Sequence, residues 1–289
     1  MIDLQRAPQT TRREIVKLNH KGDVLALHMW LPKNIKGAIF YFHGLQSHAG
    51  WLWEVGPQFA DNDVAFFVLD RRGSGISDGA RHELPDVQTI MGDYNAALGT
   101  VREIVGHGVP LSLFGHCLGG SFMAALMHHD DFSIKYDAAI FCSTWLGRLH
   151  STLSAQERQT IANDDRTGLW DAGLKATDFS NTSKYVNYID TDDLAIKHLT
   201  HRSRATLLQL EDLYLNSSRE LPPVPSAYIS GLSDPIVDLD AAHRAFLDIT
   251  SGRGSLTKFP TDKHYLFYTD QRNRLVNWAS IFTRVGGLK

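Results

Sequence analysis

The order of apolar segments predicts an α/β protein, a mostly parallel sheet covered by helices and interrupted by one helical insertion. Three observations carry this expectation. Short β-rich apolar runs alternate with helical patterns over the first half of the chain, as strands joined by crossover helices do. The alternation stops between about Trp145 and Pro225, where helix signals persist without a convincing strand, and then resumes. With 289 residues, the chain is long enough for one full core carrying such an insertion.

Taken in order, "REIVKL" and "VLALHMWLP" lie close together and suit an antiparallel edge. "GAIFYFHG" and "VAFFVLD" follow as strands, separated by the aromatic helical segment "WLWEVGPQFADN". Ile90, Tyr94, Ala97, Val101 and Ile104 recur at helical spacing, so the stretch after Asp86 reads as an amphipathic helix against the sheet. "PLSLF" and "DAAIFCS" are the next strands, with an Ala/Met/Leu-rich helix between them. In the insertion, Ser154 and Glu157 have capping-box spacing, and "TDDLAIKHLT" and "RATLLQLEDLYL" read as helices. "SAYISG", a helix from Asp238 to Ile249, "SLTKFP" and a last helix from Leu266 restore the alternation. The expected division is a core of residues 1–144 and 226–289 and a lid of residues 145–225, the lid setting substrate choice and adding little to core stability.

Composition narrows the function. A formal net charge of −3 gives no reason to expect nucleic acid or an anionic membrane as partner. No segment has the unbroken apolar run of a membrane span, and the opening "MIDLQRAPQTTRRE" has no apolar stretch of signal-peptide length. Cys117 and Cys142 make neither a disulfide framework nor a metal-ligand spacing, which points to a reducing cytoplasm.

The chemistry centres on "SLFGHCLGGSFMAAL", a strand that meets a glycine-rich corner and then a helix. Nucleophiles are exposed at such a corner in the pattern G-x-S-x-G, and here the central residue is Cys117. The reactive form of cysteine is the thiolate, which a helix N-terminus or a histidine favours. A nucleophile needs a base, and the base an orienting carboxylate, in the chain order nucleophile, acid, histidine. Asp234, in a turn after "YISG", and His264, in the loop after the final strand, satisfy that order. Asp238 is the alternative acid but stands where it would cap the next helix, and His243 is mid-helix and weaker as a base. Oxyanion donors are expected from the backbone N–H groups of Leu118 and Leu45, with His43 holding the loop by hydrogen bonding. Trp51, Trp145 and Trp170 flank the expected mouth or lid and are candidates for an apolar acyl pocket.

These segments together resemble an α/β hydrolase of the monoacylglycerol lipase/lysophospholipase branch, also grouped with S33-type serine aminopeptidases. "FHGLQSHAGWLWEVGPQFA" is similar to its HG-x-x-x-H stretch and "VLDRRGSGISDG" to its D-x-x-G-x-G-x-S. "GHCLGGSFMAAL" resembles its elbow, "DTDDLAIKHLT" its lid, and "GLSDPIVD" with "DKHYL" its acid and histidine segments. The resemblance implies the α/β-hydrolase fold, a central mostly parallel eight-stranded sheet with helices on both faces and a helical lid. It also implies no cofactor and ester-like acyl substrates. The departure is Cys117, where the branch has serine. A cysteine elbow also resembles those of dienelactone hydrolases and polyhydroxyalkanoate synthases, which match the other motifs less well.

Other motifs carry less. "RRGSGISDG" lacks the spacing of a dinucleotide loop. His198 and His201 stand at i,i+3 with no third ligand nearby, so no metal site is expected. Arg71 and Arg72 suit ion pairs with local acids better than an anionic substrate group. Three readings stay open: an acyl-transfer enzyme working through Cys117–His264–Asp234 (ester or thioester hydrolase, acyltransferase or cyclase); a catalytically impaired binding module; and a lyase or isomerase without covalent acylation. The partner expected in the first is a small acyl substrate, a thioester being one form of delivery.

Overall fold

The computed structural model describes residues 11–287, so most of the opening segment read for a leader lies outside the described residues. The chain begins with β1 (Glu14–His20), β2 (Asp23–Trp30) and β3 (Gly37–Phe42), followed by a 3-10 turn at Ala49–Leu52, α1 (Val55–Ala60) and β4 (Val64–Leu69). Then come α2 (Val87–Val105), β5 (Leu111–His116), α3 (Leu118–His128) and β6 (Ala138–Cys142). An insertion carries α4 (Arg148–Thr152), α5 (Ala155–Ala162), β7 (Leu169–Asp171), α6 (Ala176–Phe179), α7 (Ser183–Thr191), β8 (His198–Thr200) and α8 (Ser203–Leu215). The chain closes with β9 (Ser226–Gly231), α9 (Leu239–Ile249), β10 (Ser255–Phe259), a 3-10 turn at Leu266–Tyr268 and α10 (Arg272–Gly286).

Eight strands form one sheet in the order β1-β2-β4-β3-β5-β6-β9-β10. β2 runs antiparallel to β1 and to β4, and the remaining pairs are parallel. This is the α/β-hydrolase fold. The central strands are buried along their whole length, which is why they read as unbroken apolar runs rather than alternating ones. On β3, Phe40 and Phe42 join Tyr94 and Phe122 on one face, while Ile39 and Tyr41 join Phe66 and Phe267 on the other. The register sets Phe42 beside Gly115 and His116 beside Cys142. The loops after β3, β5, β6, β9 and β10 therefore leave from one edge, the place where open α/β sheets hold ligands.

The insertion differs from its sequence reading in two respects. It contains strands: β7 and β8 form an antiparallel pair, with Trp170 opposite Leu199. Three residues each are too few for an alternating pattern, and "TDDLAIKHLT" is not one helix. α7 ends as it begins: the Asp192 side chain accepts from the Leu194 N–H in a local turn, and His198 to Thr200 are extended. Nor is the whole insertion marginal to the core. α8 packs on α3, and its buried Leu207, Leu210 and Tyr214 share a cluster with Phe122 and Met123. The Ser154–Glu157 capping box is present at the start of α5. The last helix starts at Arg272, later than Leu266, because the 3-10 turn before it buries Phe267 and Tyr268.

Leu210→Ala is therefore expected to cost ~2–5 kcal/mol in urea unfolding, whereas Leu169→Ala, at an exposed position of β7, should stay within ~0.5 kcal/mol. Equal effects would contradict this division of the insertion.

Candidate active site

Between β5 and α3 the backbone turns at Cys117 with φ 53° and ψ −128°, outside the regions an L-residue ordinarily occupies. The turn is held from several sides. Cys117 N–H donates to the Cys142 carbonyl at 3.1 Å, and the Cys117 carbonyl accepts from Gly120 and Trp145 N–H, each at 3.1 Å. The helix must approach β3 closely: a Cβ on Gly119 would sit 2.0 Å from the Phe42 carbonyl oxygen. Leu118 is the first residue of α3, where a backbone N–H has no intrahelical acceptor.

His264 lies in the loop after β10, its side chain fully buried. Its Nδ1 is 3.0 and 2.9 Å from the two carboxylate oxygens of Asp234. Asp234 Oδ1 also accepts from the backbone N–H of Ile236 and Val237, so a tight turn after β9 aims the carboxylate. Burial raises the Asp234 pKa, but the charge and hydrogen bond of His264 outweigh it and bring it to about 2. Burial likewise lowers the His264 pKa, yet the negative charges of Asp234 and Cys117 reverse the direction and lift it to about 10. The Cys117 thiol thus lies within the electrostatic reach of the imidazole. Cys142 is one strand away, and burial, followed by the Asp234 and Cys117 charges, pushes its pKa well above the usual thiol value.

The loop after β3 brings Gly44 against the Cys117 side chain, where an added Cβ would be 3.1 Å from Cys117 Cβ. His43 is buried and accepts the Arg71 N–H on Nε2 at 3.1 Å; its Nδ1, which then carries the ring proton, donates to the Gly44 carbonyl at 3.0 Å. Burial, and then the Arg71 charge, lower its pKa well below the ordinary histidine value. It is a neutral strut of this loop.

Family comparison agrees with the fold. A model described as "Serine aminopeptidase, S33" matches residues 33–271. The chain belongs to this family. Among S33 relatives, a rat monoglyceride lipase is 32% identical over 119 residues, a match covering 40% of this chain and 39% of that protein. A yeast monoglyceride lipase is 20% identical over 279 residues, covering 90% of this chain and 88% of the other. The structure of a soluble variant of the Saccharomyces cerevisiae monoglyceride lipase with a substrate analogue superposes with a TM-score of 0.83 at 18% identity, covering 98% of each chain.

Within this S33 framework the other predicted residues disperse. Asp238 caps α9, accepting from the N–H groups of Asp240 and Ala241. His243 stacks edge-on against Tyr228 at 4.7 Å. Trp51 is fully buried; it packs on Phe179 and Tyr265, and its indole N–H donates to Asp192 at 2.6 Å. Trp170 lies under the Arg204 guanidinium in the small sheet. Trp145 borders a cavity of about 340 Å³ beside Asp234, lined also by Arg148, Ser151 and Ile236. That cavity reaches the acid and not Cys117 or His264. Arg72 pairs with Asp93 and Asp23 as expected, whereas Arg71 does not pair with an acid but donates to three backbone carbonyls. Among the described residues no helix is long and apolar enough to cross a membrane, and no cluster of His, Cys, Asp or Glu suits a metal ion.

Two participants were not singled out from sequence. His116, directly before Cys117, donates from Nε2 to the His264 carbonyl at 3.2 Å, and burial, with the His264 charge, lowers its pKa to about 3. The Asp178 carbonyl accepts the His264 N–H at 2.9 Å, so α6 of the insertion supports the histidine loop. Neither contact has a signature, because both end on backbone carbonyls.

A raised His264 pKa contributes stability that is complete below its unfolded value of ~6.5 and is lost as pH rises toward about 10. In Asp234→Asn the largest raising cause is removed, so the imidazole should titrate below its wild-type pKa by ¹⁵N NMR, while the wild-type ring is charged at pH 7. The stability gap between the two proteins should narrow between pH 6.5 and about 10. A neutral wild-type ring at pH 7 would contradict this ordering.

Proposed function

We propose that the protein is an acyl-transfer hydrolase that cleaves small ester or thioester substrates through a thioester on Cys117. The supporting observation is the strained turn at Cys117, set within electrostatic reach of an imidazole that a buried carboxylate orients. In this reading the Cys117 thiolate attacks the carbonyl carbon and the charge passes to the carbonyl oxygen. The Leu45 and Leu118 N–H groups receive that oxygen. The His264 imidazolium protonates the departing alkoxide or thiolate, and Asp234 keeps the ring in place and charged. Deacylation reverses the roles, with neutral His264 taking a proton from water or from another acceptor. Similarity to monoglyceride lipases supports an ester of an apolar acyl chain with a small alcohol as the first substrate class to try.

Residues 145–225 act as the lid over this site. Cys117 is 3% exposed and His264 is fully buried, so entry of an acyl chain requires that part of the insertion move. Trp145, which follows β6 and borders the cavity beside Asp234, is the lining residue best placed to sense the substrate.

Sulfur favours transfer over plain hydrolysis. Receiving an acyl group from another thioester is nearly energy-neutral, and the acyl-cysteine stays reactive toward amine or alcohol acceptors.

Incubation with an activated ester or acyl thioester should leave an acyl group on Cys117 and not on Cys142, read by peptide mapping. Turnover without any adduct would remove the covalent mechanism. In Cys117→Ser, His264 must activate a hydroxyl, which ionises far less readily than a thiol of reference pKa about 8.5. Its oxygen-ester intermediate is also less reactive to amines and thiols. The ratio of transferred to hydrolysed product should fall in this variant; an unchanged ratio with faster turnover would leave sulfur without a selected role. Trp145→Ala should change relative rates among acyl groups in a folded protein, measured as kcat/KM across a chain-length series.

A further inference from the structure

The Arg71 side chain is the least explained feature near the nucleophile. It follows the end of β4, is buried, and forms no salt bridge with a carboxylate among the described residues. Its neighbour Asp70 directs its oxygens to the N–H groups of Ala49 and Ile76 and to His28. The guanidinium instead donates from Nη1 to the His43 and Gly44 carbonyls, each at 2.9 Å, and from Nη2 to the Leu45 carbonyl at 3.1 Å. Its other side lies over the Phe122 ring, 5.0 Å from the centroid.

We propose that Arg71 is a positioning residue of the oxyanion hole, its guanidinium orienting and polarising the Gly44–Leu45 peptide so that the Leu45 N–H meets the developing charge. This rests on the acyl-Cys117 reading above. The Gly44 carbonyl and the Leu45 N–H are opposite ends of one peptide unit. A donor bound to the carbonyl draws electron density from the nitrogen and strengthens the N–H as a donor. The Gly44 carbonyl accepts from both Arg71 Nη1 and His43 Nδ1, so this peptide is doubly polarised. The three acceptors also fix the loop in one conformation before substrate arrives, so little reorganisation accompanies the reaction. Full positive charge in a dry interior acts at longer range than in water. Lysine could keep the charge but not span three carbonyls, because its donors leave from one nitrogen rather than a planar fork.

A purely structural clamp would be expressed equally in every reaction of Cys117, and an oxyanion role would not. Acylation by p-nitrophenyl butyrate builds negative charge on a carbonyl oxygen, whereas alkylation by iodoacetamide displaces iodide from a saturated carbon and builds none. Both are measured on the intact protein, each at the plateau of its own pH profile, for wild type, Arg71→Met and Arg71→Lys. Losing an oxyanion donor outright lowers rate by about 10²–10³, so weakening one should slow acylation by Arg71→Met about 10–100-fold, with alkylation changed less than about threefold. Arg71→Lys should recover only part of the loss. Acylation by Arg71→Met within about threefold of wild type, or acylation and alkylation falling by the same factor, would overturn the proposal. If Arg71→Met does not fold, the same comparison is made with Arg71→Lys and Arg71→Gln. A wild-type protein that is alkylated on Cys117 but never acylated there would overturn the underlying reading as well; normal wild-type acylation with an unaffected variant overturns this inference alone.

Discussion

A cysteine held at φ 53° occupies backbone territory that costs an L-residue of order 1–3 kcal/mol, and it persists only where the surroundings over-determine it. Here they do. β6 takes the Cys117 N–H, the loop after β6 returns the Trp145 N–H to the Cys117 carbonyl, and Tyr228 on β9 holds that loop by bonding both the N–H and the carbonyl of Thr144. The two glycines that follow in α3 are required by approach distance: β3 lies where a Gly119 side chain would be, and Thr144 where a Gly120 side chain would be. The sheet order places β3, β5 and β6 side by side. Those same three strands deliver the oxyanion loop, the turn and its lock.

Electrostatics then separates three buried histidines, His43, His116 and His264. His43 and His116 have no carboxylate bonded to the ring, and both are driven neutral by burial and by neighbouring positive charge. His264 is as deeply buried but faces both oxygens of Asp234, and its pKa moves the other way. Environment alone sets one imidazole, with its raised pKa, apart from two neutral hydrogen-bonding struts.

Much of this was legible before the structure. β3, β4, β5 and β6 announce themselves as buried apolar runs, and the chain order Cys117, Asp234, His264 follows from which loops leave the carboxyl edge of a parallel sheet. What escaped was encoded outside side-chain pattern. β7 and β8 are each three residues long and exist because they pair with one another. Trp51, placed at the mouth by its position near "HGLQSH", is drawn into a ring cluster with Tyr265 and Tyr268 that a one-dimensional reading has no means of assembling. Arg71 suggested an ion pair because a buried arginine usually needs an acid, yet backbone carbonyls serve as well and have no residue identity to read.

The insertion is tied to the site at the points the chemistry uses. Asp192, just past α7, accepts from the Trp51 indole and pairs with His48 at 3.0 Å, and Ile196 N–H bonds the Gln46 carbonyl in the loop that carries Leu45. Asp178 in α6 holds the His264 backbone, and the Phe179 ring lies edge-on to the His264 imidazole at 5.5 Å. α8, by contrast, is anchored in the core through Tyr214, whose hydroxyl bonds Ser121 on α3 and accepts the Gly147 N–H. The segment thus divides physically into an anchored helix and a portion with polar contacts to the loop after β3 and to the His264 backbone. Displacing that portion to admit a substrate would break bonds that position Gln46, His48 and His264, while leaving the α3–α8 contact intact. Access to Cys117 and the placement of the loops around it draw on these same hydrogen bonds.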